Sequence, residues 1–171
     1  MSRQLLTEYL DRQRACYIRQ HHGVAYTAPE IAESSHINGR NFAKVVMIKV
    51  DGELSMVVLP AHYHVDIDLL RTAIGAESLV LAQEREFSYR FPRCEPGAMP
   101  PFGHLYGFLT YMVPVFESCR EIAFNAGTHS EIIRMPFYEY MRLAHVVEVP
   151  AGVIPPSVGF GDAMTAPRLR A

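Results

Sequence analysis

The chain has 171 residues, of which 49% are hydrophobic and 20% are charged, and its formal net charge is -2. This length and composition predict one soluble globular domain with a substantial core. The charge balance excludes the strong overall positive field that draws DNA to a protein, so we expect no DNA partner; a small local patch is still compatible with contact to a nucleic acid end.

The cysteines and the N-terminus bear on the cellular compartment. Cys16, Cys94 and Cys119 are widely spaced and form no CxxC pair, so neither a zinc ribbon nor a dithiol redox site is expected. Free thiols are typical of a reducing compartment. The N-terminus lacks the apolar stretch of a signal peptide, and no run approaches the roughly 18 apolar residues of a membrane span. We expect a cytoplasmic protein with no membrane partner.

The first part of the chain predicts two helices separated by a short strand. Apolar residues at helical spacing between Leu5 and Leu10 predict an amphipathic helix. A strand is expected at residues 24–26. The sequence Thr27-Ala28-Pro29-Glu30 fits a capping box for a short helix through residues 31–33. Asn38-Gly39 then predicts a turn.

The strongest local pattern is Asp51-Gly52, which separates apolar runs at residues 44–50 and 54–59. Asp-Gly suits a two-residue hairpin turn because both positions tolerate positive φ. Further along, Asp66 is expected to cap a helix that ends at Gly75.

The second half predicts short strands between loops and helices. Strands are expected at residues 78–81, 111–116, 121–125, 131–135 and 146–149. A short helix is expected at residues 83–89, a structured loop at residues 91–107 and a helix from Pro136. This order has no regular βαβ period, so it favours an α+β fold with a mixed, partly barrel-like sheet. Residues 1–149 are expected to form the domain, and residues 150–171 an extended or mobile tail.

Lys44 is the most informative single residue because it opens a predicted strand, residues 44–50, that is apolar apart from Lys49. A cation there is costly unless it faces a cleft or an anion. One interpretation is an exposed lysine at a strand end. The other is a cation that binds a phosphate or polarises a carbonyl group.

Two glycine-bearing segments have the composition of loops that bind a ligand. Gly97-Ala98-Met99-Pro100-Pro101-Phe102-Gly103 combines stiff prolines with permissive glycines, which suits either a surface loop or a pocket wall. Gly127 fits a hairpin turn, and such a turn can also present backbone amides to an oxyanion.

The remaining candidate side chains have weaker patterns. His129 fits a ligand, a proton carrier or a turn residue. His62-x-His64 would place two rings on one strand face, but no third ligand has a suitable spacing, so no metal is expected. Cys94 has no identifiable base beside it and is interpreted as a small apolar residue rather than a nucleophile.

Taken in order, these segments resemble the YbaK/prolyl-tRNA synthetase-associated domain family, whose members are aminoacyl-tRNA deacylases. The matching segments, within residues 20–145, are Phe42-Ala43-Lys44-Val45-Val46, Pro60, Leu70, the Gly97 to Gly103 loop and Phe124-Asn125-Ala126-Gly127-Thr128-His129-Ser130-Glu131. One departure is Pro100, where serine is common, and it leaves the amino-acid substrate open.

The resemblance implies a mixed α+β, barrel-like fold and a hydrolase that edits mischarged tRNA without a cofactor or metal. It assigns catalytic roles to Lys44 and Gly127. The implied substrate-binding residues are Gly97, Pro101, Phe102, Gly103, Thr128 and His129. The implied partners are the acceptor end of aminoacyl-tRNA and, as a further candidate, an aminoacyl-tRNA synthetase.

The implied mechanism is hydrolysis of the aminoacyl ester by water or a substrate hydroxyl group. Lys44 would bind the terminal phosphate or the ester, the Gly127 amide would face the carbonyl group, and Phe102 and Gly103 would wall the amino-acid pocket. His129 would orient a nearby group. Two other functions stay open: a non-catalytic tRNA- or synthetase-associated binding module, and a small-molecule esterase or ligand-binding protein.

Overall fold

The computed structural model describes residues 2–21, 29–30, 37–116 and 120–155. The strand expected at residues 24–26, the cap at Thr27 and the helix expected at residues 31–33 lie outside these ranges, as do residues 156–171 of the expected tail.

Four helices are described over their full length: α1 (Ser2–Arg12), α2 (Ile67–Ile74), α3 (Glu84–Phe87) and α4 (Phe137–Ala144). The predicted amphipathic first helix is confirmed, since Leu6 and Leu10 are fully buried. The caps of α2 are also confirmed. The Leu69 amide donates to Asp66 Oδ1 at 2.9 Å, and Gly75 ends the helix with a φ of 77°. Local side-chain chemistry therefore sets these ends.

Ten strands form one eight-stranded sheet and one two-stranded sheet in the described part of the chain. Their bounds are β1 (Ile18–His21), β2 (Phe42–Val50), β3 (Glu53–Pro60), β4 (His64–Val65), β5 (Leu79–Leu81), β6 (Leu109–Met112), β7 (Glu121–Thr128), β8 (Glu131–Pro136), β9 (Val146–Glu148) and β10 (Val153–Ile154). The large sheet has the order β1-β8-β7-β2-β3-β6-β9, and β5 also pairs with β2.

The predicted Asp51-Gly52 hairpin is confirmed. Asp51 has a φ of 50° and Gly52 a φ of 89°, and β2 pairs antiparallel with β3 from Val50↔Glu53 to Ala43↔Pro60. The Asp51 carboxylate also accepts a 2.7 Å hydrogen bond from the Ser78 amide. The turn thus both reverses the chain and ties β5 to the same end of β2.

Parallel and antiparallel pairs occur together, which confirms the predicted mixed α+β fold. Strands β2 and β7, β3 and β6, and β6 and β9 pair in parallel, while β7 and β8 pair antiparallel. The parallel pairs join strands that are distant in sequence, so short-range patterns cannot reveal them.

Several boundaries differ from the prediction. The strand expected at residues 111–116 ends at Met112, and residues Pro114–Phe116 form a 3-10 turn, since proline has no amide to donate to a sheet. The loop expected at residues 91–107 contains a 3-10 turn at Gly103–Tyr106.

Packing continues past the domain boundary expected at residue 149. Strand β10 pairs with β4, and the Gly152 carbonyl accepts from the Asp66 amide at 2.9 Å. A Cβ atom on Gly152 would lie 3.1 Å from Leu70 Cα, so a glycine is needed for this close approach.

The core lies on both faces of the large sheet. The main cluster packs α1, α4 and the loop through Phe102 against one face, and two smaller clusters cover parts of the other face around Leu70 and around Phe42. Within the described ranges, no helix is long and apolar enough to cross a membrane.

Candidate active site at a fork in the sheet

Strand β2 changes partner halfway along one edge, and this change opens the sheet. The edge pairs in parallel with β7 at Phe42↔Ala123 and Ala43↔Phe124, then pairs antiparallel with β5 from Ile48 onward. Between these two partners, residues 44–46 have no paired strand on this edge among the described residues. We call this segment the strand fork. Open parallel sheets commonly bind ligands where the strand order changes, so the strand fork is a candidate site.

Lys44 is the first residue of the strand fork. It is half-buried, and burial lowers the pKa of its ammonium group below the ordinary value for lysine. No charged or hydrogen-bonding side chain in the described ranges opposes this effect. Lys49 on the same strand differs, because it forms an ion pair with Glu86 at 2.5 Å. Lys44 is thus a partly desolvated cation whose anion has to come from elsewhere.

Asn125 follows the last residue of β7 that pairs with β2, as Lys44 does on β2, and it was not predicted as a site residue. Phe42 and Ala123 pack together on one face, and Ala43 and Phe124 on the other. Lys44 follows Ala43 on β2, and Asn125 follows Phe124 on β7. Because side chains alternate along strands, both point to the face of the sheet that carries Phe42.

The Asn125 side chain carries an unused acceptor. The residue is only 6% exposed, and its carboxamide oxygen has no hydrogen-bond partner. Such a group is costly in a core, so it often marks a functional site. The sequence did contain an indication of it: Asn125 is a polar residue inside the otherwise apolar run Ile122–Ala126.

The two predicted loops meet each other in the structure. The Glu95 amide donates to the Gly127 carbonyl at 2.9 Å, and the Gly127 amide donates to the Ala98 carbonyl at 3.0 Å. The His129 amide donates to Glu95 Oε2 at 2.6 Å, and His129 Nε2 lies 2.7 Å from the Pro96 carbonyl. A carbonyl group only accepts, so His129 Nε2 carries the proton. We call these four hydrogen bonds the loop–turn clamp.

The clamp gives Gly127 and His129 roles different from those expected. Gly127 sits in a β-bulge between Asn125 and Thr128 with a φ of 101°, a conformation that favours glycine. Its amide is engaged with Ala98, so it does not face a ligand carbonyl in this structure. His129 is 8% exposed and holds the loop against the turn. Both residues shape the end of β7 beyond Asn125.

Phe102 and Gly103 lie in the core and not on a pocket wall. Phe102 is fully buried against Tyr9, Phe124 and Tyr140, in the main cluster that also contains Ala43. That cluster covers the face of β2 opposite Lys44. The Gly103 amide donates to Thr110 Oγ1 at 3.1 Å. These contacts anchor the loop in the core, whereas the expectation was that both residues wall the amino-acid pocket.

The other substrate-binding candidates, Pro101, Gly97 and Thr128, differ in their exposure and contacts. Pro101 is buried and its carbonyl accepts from the Tyr140 hydroxyl at 3.0 Å. Gly97 is exposed with a φ of 81°, and a Cβ there would lie 3.6 Å from the His129 ring. Thr128 is partly exposed, with its hydroxyl 3.5 Å from that of Ser130. Of these three residues, Gly97 lies closest to the clamp, next to the His129 ring.

The other histidines and cysteines singled out in the sequence form no metal site in the described ranges. No group of three or more His, Cys, Asp or Glu side chains is placed to hold a metal ion there. His62 and His64 are both exposed, and the His62 ring packs directly over Gly39. Neither Cys16 nor Cys94 forms a disulfide in the described ranges.

Solved structures define the fold class to which this mixed sheet belongs. The hypothetical protein APE2540 superposes with a TM-score of 0.77 at 14% identity over 88% of this chain and 99% of its own. A proposed trans-editing enzyme for prolyl tRNA synthetase superposes with a TM-score of 0.75 at 16% identity, over 88% and 98%. A proposed signal transduction protein from Marinobacter aquaeolei VT8 matches over 86% of this chain but 30% of its own, at 16% identity and a TM-score of 0.66.

The sequence itself identifies the family. Residues 22–143 match the model of the aminoacyl-tRNA editing domain, and the chain therefore belongs to that family. The resemblance to YbaK-like domains is confirmed by this match, and the α+β fold by the structural neighbours. No curated protein matches the chain significantly.

Proposed function

We propose that this protein hydrolyses the ester that joins a wrong amino acid to the terminal ribose of tRNA. The proposal is supported by membership of the aminoacyl-tRNA editing domain family. The observation that carries it is Lys44, a partly desolvated cation at the strand fork with no anion from the described residues. Carbonyl oxygens that gain negative charge during ester hydrolysis are stabilised by such a group.

The proposed reaction needs no nucleophilic side chain. Water attacks the ester carbonyl carbon, the oxygen develops negative charge beside Lys44, and the bond to the ribose oxygen then breaks. The ribose oxygen takes up the proton that the attacking water gives up, and the hydroxyl group of that water stays on the acyl carbon, which releases the free amino acid and the deacylated tRNA. An aminoacyl ester is already activated, so positioning and charge stabilisation supply most of the acceleration.

Asn125 has a proposed role in substrate binding. The α-ammonium group of an aminoacyl ester is a strong hydrogen-bond donor, and the buried Asn125 oxygen is an acceptor without a partner. Binding the ammonium group there would place the adjacent carbonyl group beside Lys44. The Gly127 amide would contribute to an oxyanion site only if its bond to Ala98 opened, so it has no direct role in this proposal.

The experiment compares Lys44→Ala with Lys49→Ala on a panel of mischarged tRNAs, with circular dichroism as the folding control. Loss of one oxyanion donor typically lowers the rate by about 10²- to 10³-fold, and we expect this for Lys44→Ala. Lys49→Ala, on the same strand but paired with Glu86, should keep the parental rate. A folded Lys44→Ala protein with full activity would exclude the proposed role of Lys44.

The same panel distinguishes the other functions. Tight binding of aminoacyl-tRNA without loss of the ester would indicate a non-catalytic module. Turnover of simple esters that is indifferent to added tRNA would indicate a small-molecule esterase.

A further inference from the structure

Side-chain amines occur at two positions in this chain. Of its 16 lysine and arginine residues, Lys44 and Lys49 are the lysines, and the other 14 are arginines. Arginine stays protonated in proteins, whereas the lysine nitrogen becomes a nucleophile once it has lost its proton. Covalent amine chemistry in the side chains is therefore restricted to strand β2, which carries both lysines.

The two lysines lie on opposite faces of β2 and differ in their partners. Five positions separate them, and side chains alternate along a strand. Lys49 forms an ion pair with Glu86 of α3 at 2.5 Å. To react with an electrophile, its nitrogen would have to leave that carboxylate. Both lysines are half-buried, so Lys49 is an internal reference for the reactivity of Lys44.

Lys44 has apolar neighbours. Leu59 pairs directly with it on β3 and is fully buried, and Phe42 and Val46 flank it on the same face of β2. Burial lowers the pKa of Lys44, and no charged side chain of the described residues opposes this shift. More of the Lys44 amine is therefore neutral at neutral pH than in a fully exposed lysine.

The position of Lys44 at the strand fork suits a small anionic reagent. Residues 44–46 have no paired strand on one edge among the described residues, and part of the Lys44 surface is exposed to solvent. The ammonium form attracts an anion, and the neutral form attacks an activated carbonyl carbon. An acyl phosphate, the mixed anhydride of a carboxylic acid and phosphate, carries both of these groups.

We propose that Lys44 is an N-acylation site for small acyl phosphates and that its acylation inactivates the strand fork. The neutral amine attacks the acyl carbon, and the bond between this carbon and the phosphate oxygen breaks. Phosphate leaves with the bonding electron pair, and the nitrogen gives up a proton to water. The products are an amide at Lys44 and inorganic phosphate.

The consequence for activity rests on the proposed function. An amide nitrogen carries no positive charge, so acylated Lys44 no longer stabilises an oxyanion. The same lysine that acts on the ester is then the point at which the activity is switched off.

The test incubates the full chain with acetyl phosphate at neutral pH and follows acetylation by mass spectrometry of tryptic peptides. Trypsin does not cleave after an acetylated lysine, so modification at Lys44 joins residues 41–44 and 45–49 into one peptide. We expect Lys44 to be acetylated at least about fivefold faster than Lys49, because its nitrogen has no ion pair to break. Similar rates at the two lysines, or faster acetylation of Lys49, would overturn the proposal.

Two variants test the cause of this difference, with circular dichroism as the folding control. Glu86→Gln removes the ion pair of Lys49 but keeps an oxygen that can accept from the Gln83 amide. Acetylation of Lys49 should then be faster, with no change at Lys44. Lys44→Arg keeps a positive charge without a reactive amine, so acetylation within residues 41–44 should disappear. An unchanged rate at Lys49 in folded Glu86→Gln would contradict the ion-pair explanation.

A parallel assay separates this proposal from the proposed function. Hydrolysis of mischarged tRNA is measured on samples with increasing acetylation, in the parental protein and in Lys49→Arg, where Lys44 is the remaining lysine. Loss of hydrolysis in proportion to acetylation of Lys44 supports the switch, and full hydrolysis by protein acetylated at Lys44 overturns it. If the untreated parental protein hydrolyses no mischarged tRNA, the proposed function fails, while the peptide ratios still decide whether Lys44 is the acylation site.

Discussion

At the scale of single residues, Lys44 and Lys49 lie on one strand in different electrostatic surroundings. Lys49 is paired with Glu86, whereas Lys44 is half-buried without an anion from the described residues. Because burial lowers the Lys44 pKa, its charged form at neutral pH lowers the free energy of unfolding. Such a loss of stability is common at residues that are kept for function.

We therefore predict that Lys44→Met stabilises the protein while it abolishes hydrolysis. The gain in the free energy of unfolding should be on the order of 0.5 kcal/mol, because solvent screens a half-buried charge. This corresponds to a rise in Tm of roughly 1–2 °C, measured by thermal melting. Lys49→Met, which removes an ion-paired charge, should not raise Tm. A lower Tm for Lys44→Met would show that the ammonium group stabilises the fold.

Gly103 illustrates a glycine that is required by packing. A Cβ at this position would clash with Thr110 Oγ1 and lie 3.0 Å from the Phe108 carbonyl oxygen. We predict that Gly103→Ala lowers the free energy of unfolding by about 1–3 kcal/mol, the usual cost of overpacking. Chemical denaturation measures the change.

The control for Gly103 is a second substitution at the contact. Thr110→Ala removes the clashing oxygen, so the double variant should lose less stability than the sum of the two single variants. Strictly additive losses would contradict the steric explanation.

At the scale of elements, the loop–turn clamp joins two segments that are about 30 residues apart in sequence. The side chain of His129 provides one of its four hydrogen bonds, to the Pro96 carbonyl, and the other three involve backbone amides. The clamp sets the shape of the β7 bulge that follows Asn125. We expect loss of the clamp to promote local opening of this region before it promotes opening of the rest of the sheet.

We predict that His129→Ala weakens the clamp locally by about 1 kcal/mol, the net contribution of one hydrogen bond. Hydrogen exchange should be faster at the amides of Glu95 and Gly127, with little change at the β2–β3 hairpin. His129→Gln, which keeps a side-chain donor, should recover part of the protection. Equal exchange in His129→Ala and the parental protein would mean that the backbone bonds alone hold the loop.

At the scale of the whole molecule, the N-terminal and C-terminal helices meet over His104. The Tyr9 hydroxyl donates to the Leu143 carbonyl at 2.9 Å. The His104 ring stacks on His145 with centroids 4.4 Å apart and lies 3.3 Å from the Ala144 carbonyl through Nδ1. Burial, and then the neighbouring His145, lower the pKa of His104 below its ordinary value of 6.5.

This shift predicts lower stability in acid. Below about pH 6.5 the unfolded chain protonates at His104 before the folded chain does, so the free energy of unfolding falls as the pH falls. The slope from this residue is at most about 1.4 kcal/mol for each pH unit. We predict that His104→Phe, which keeps a stacking ring, has a flatter profile between pH 7.5 and pH 5. Denaturant unfolding at each pH measures it, and parallel profiles would contradict the prediction.

Elements with local causes were predictable from the sequence. The Asp51-Gly52 hairpin, the Asp66 and Gly75 caps of α2 and the amphipathic face of α1 each depend on residues within a few positions of each other. Lys44 stood out because a charge at the start of an apolar strand is costly. The ordered segments also identified the family, which the match over residues 22–143 confirms.

The tertiary structure alone decided how these parts surround a site. The strand fork exists because β2 has β7 and β5 as successive partners on one edge, and parallel pairing between distant strands leaves no local pattern. The same long-range packing placed Phe102 in the core, engaged the Gly127 amide with Ala98 and buried the Asn125 carboxamide oxygen without a partner. The ordered segments of the sequence therefore indicated the family and singled out Lys44, whereas the surroundings of Lys44 depended on contacts that only folding creates.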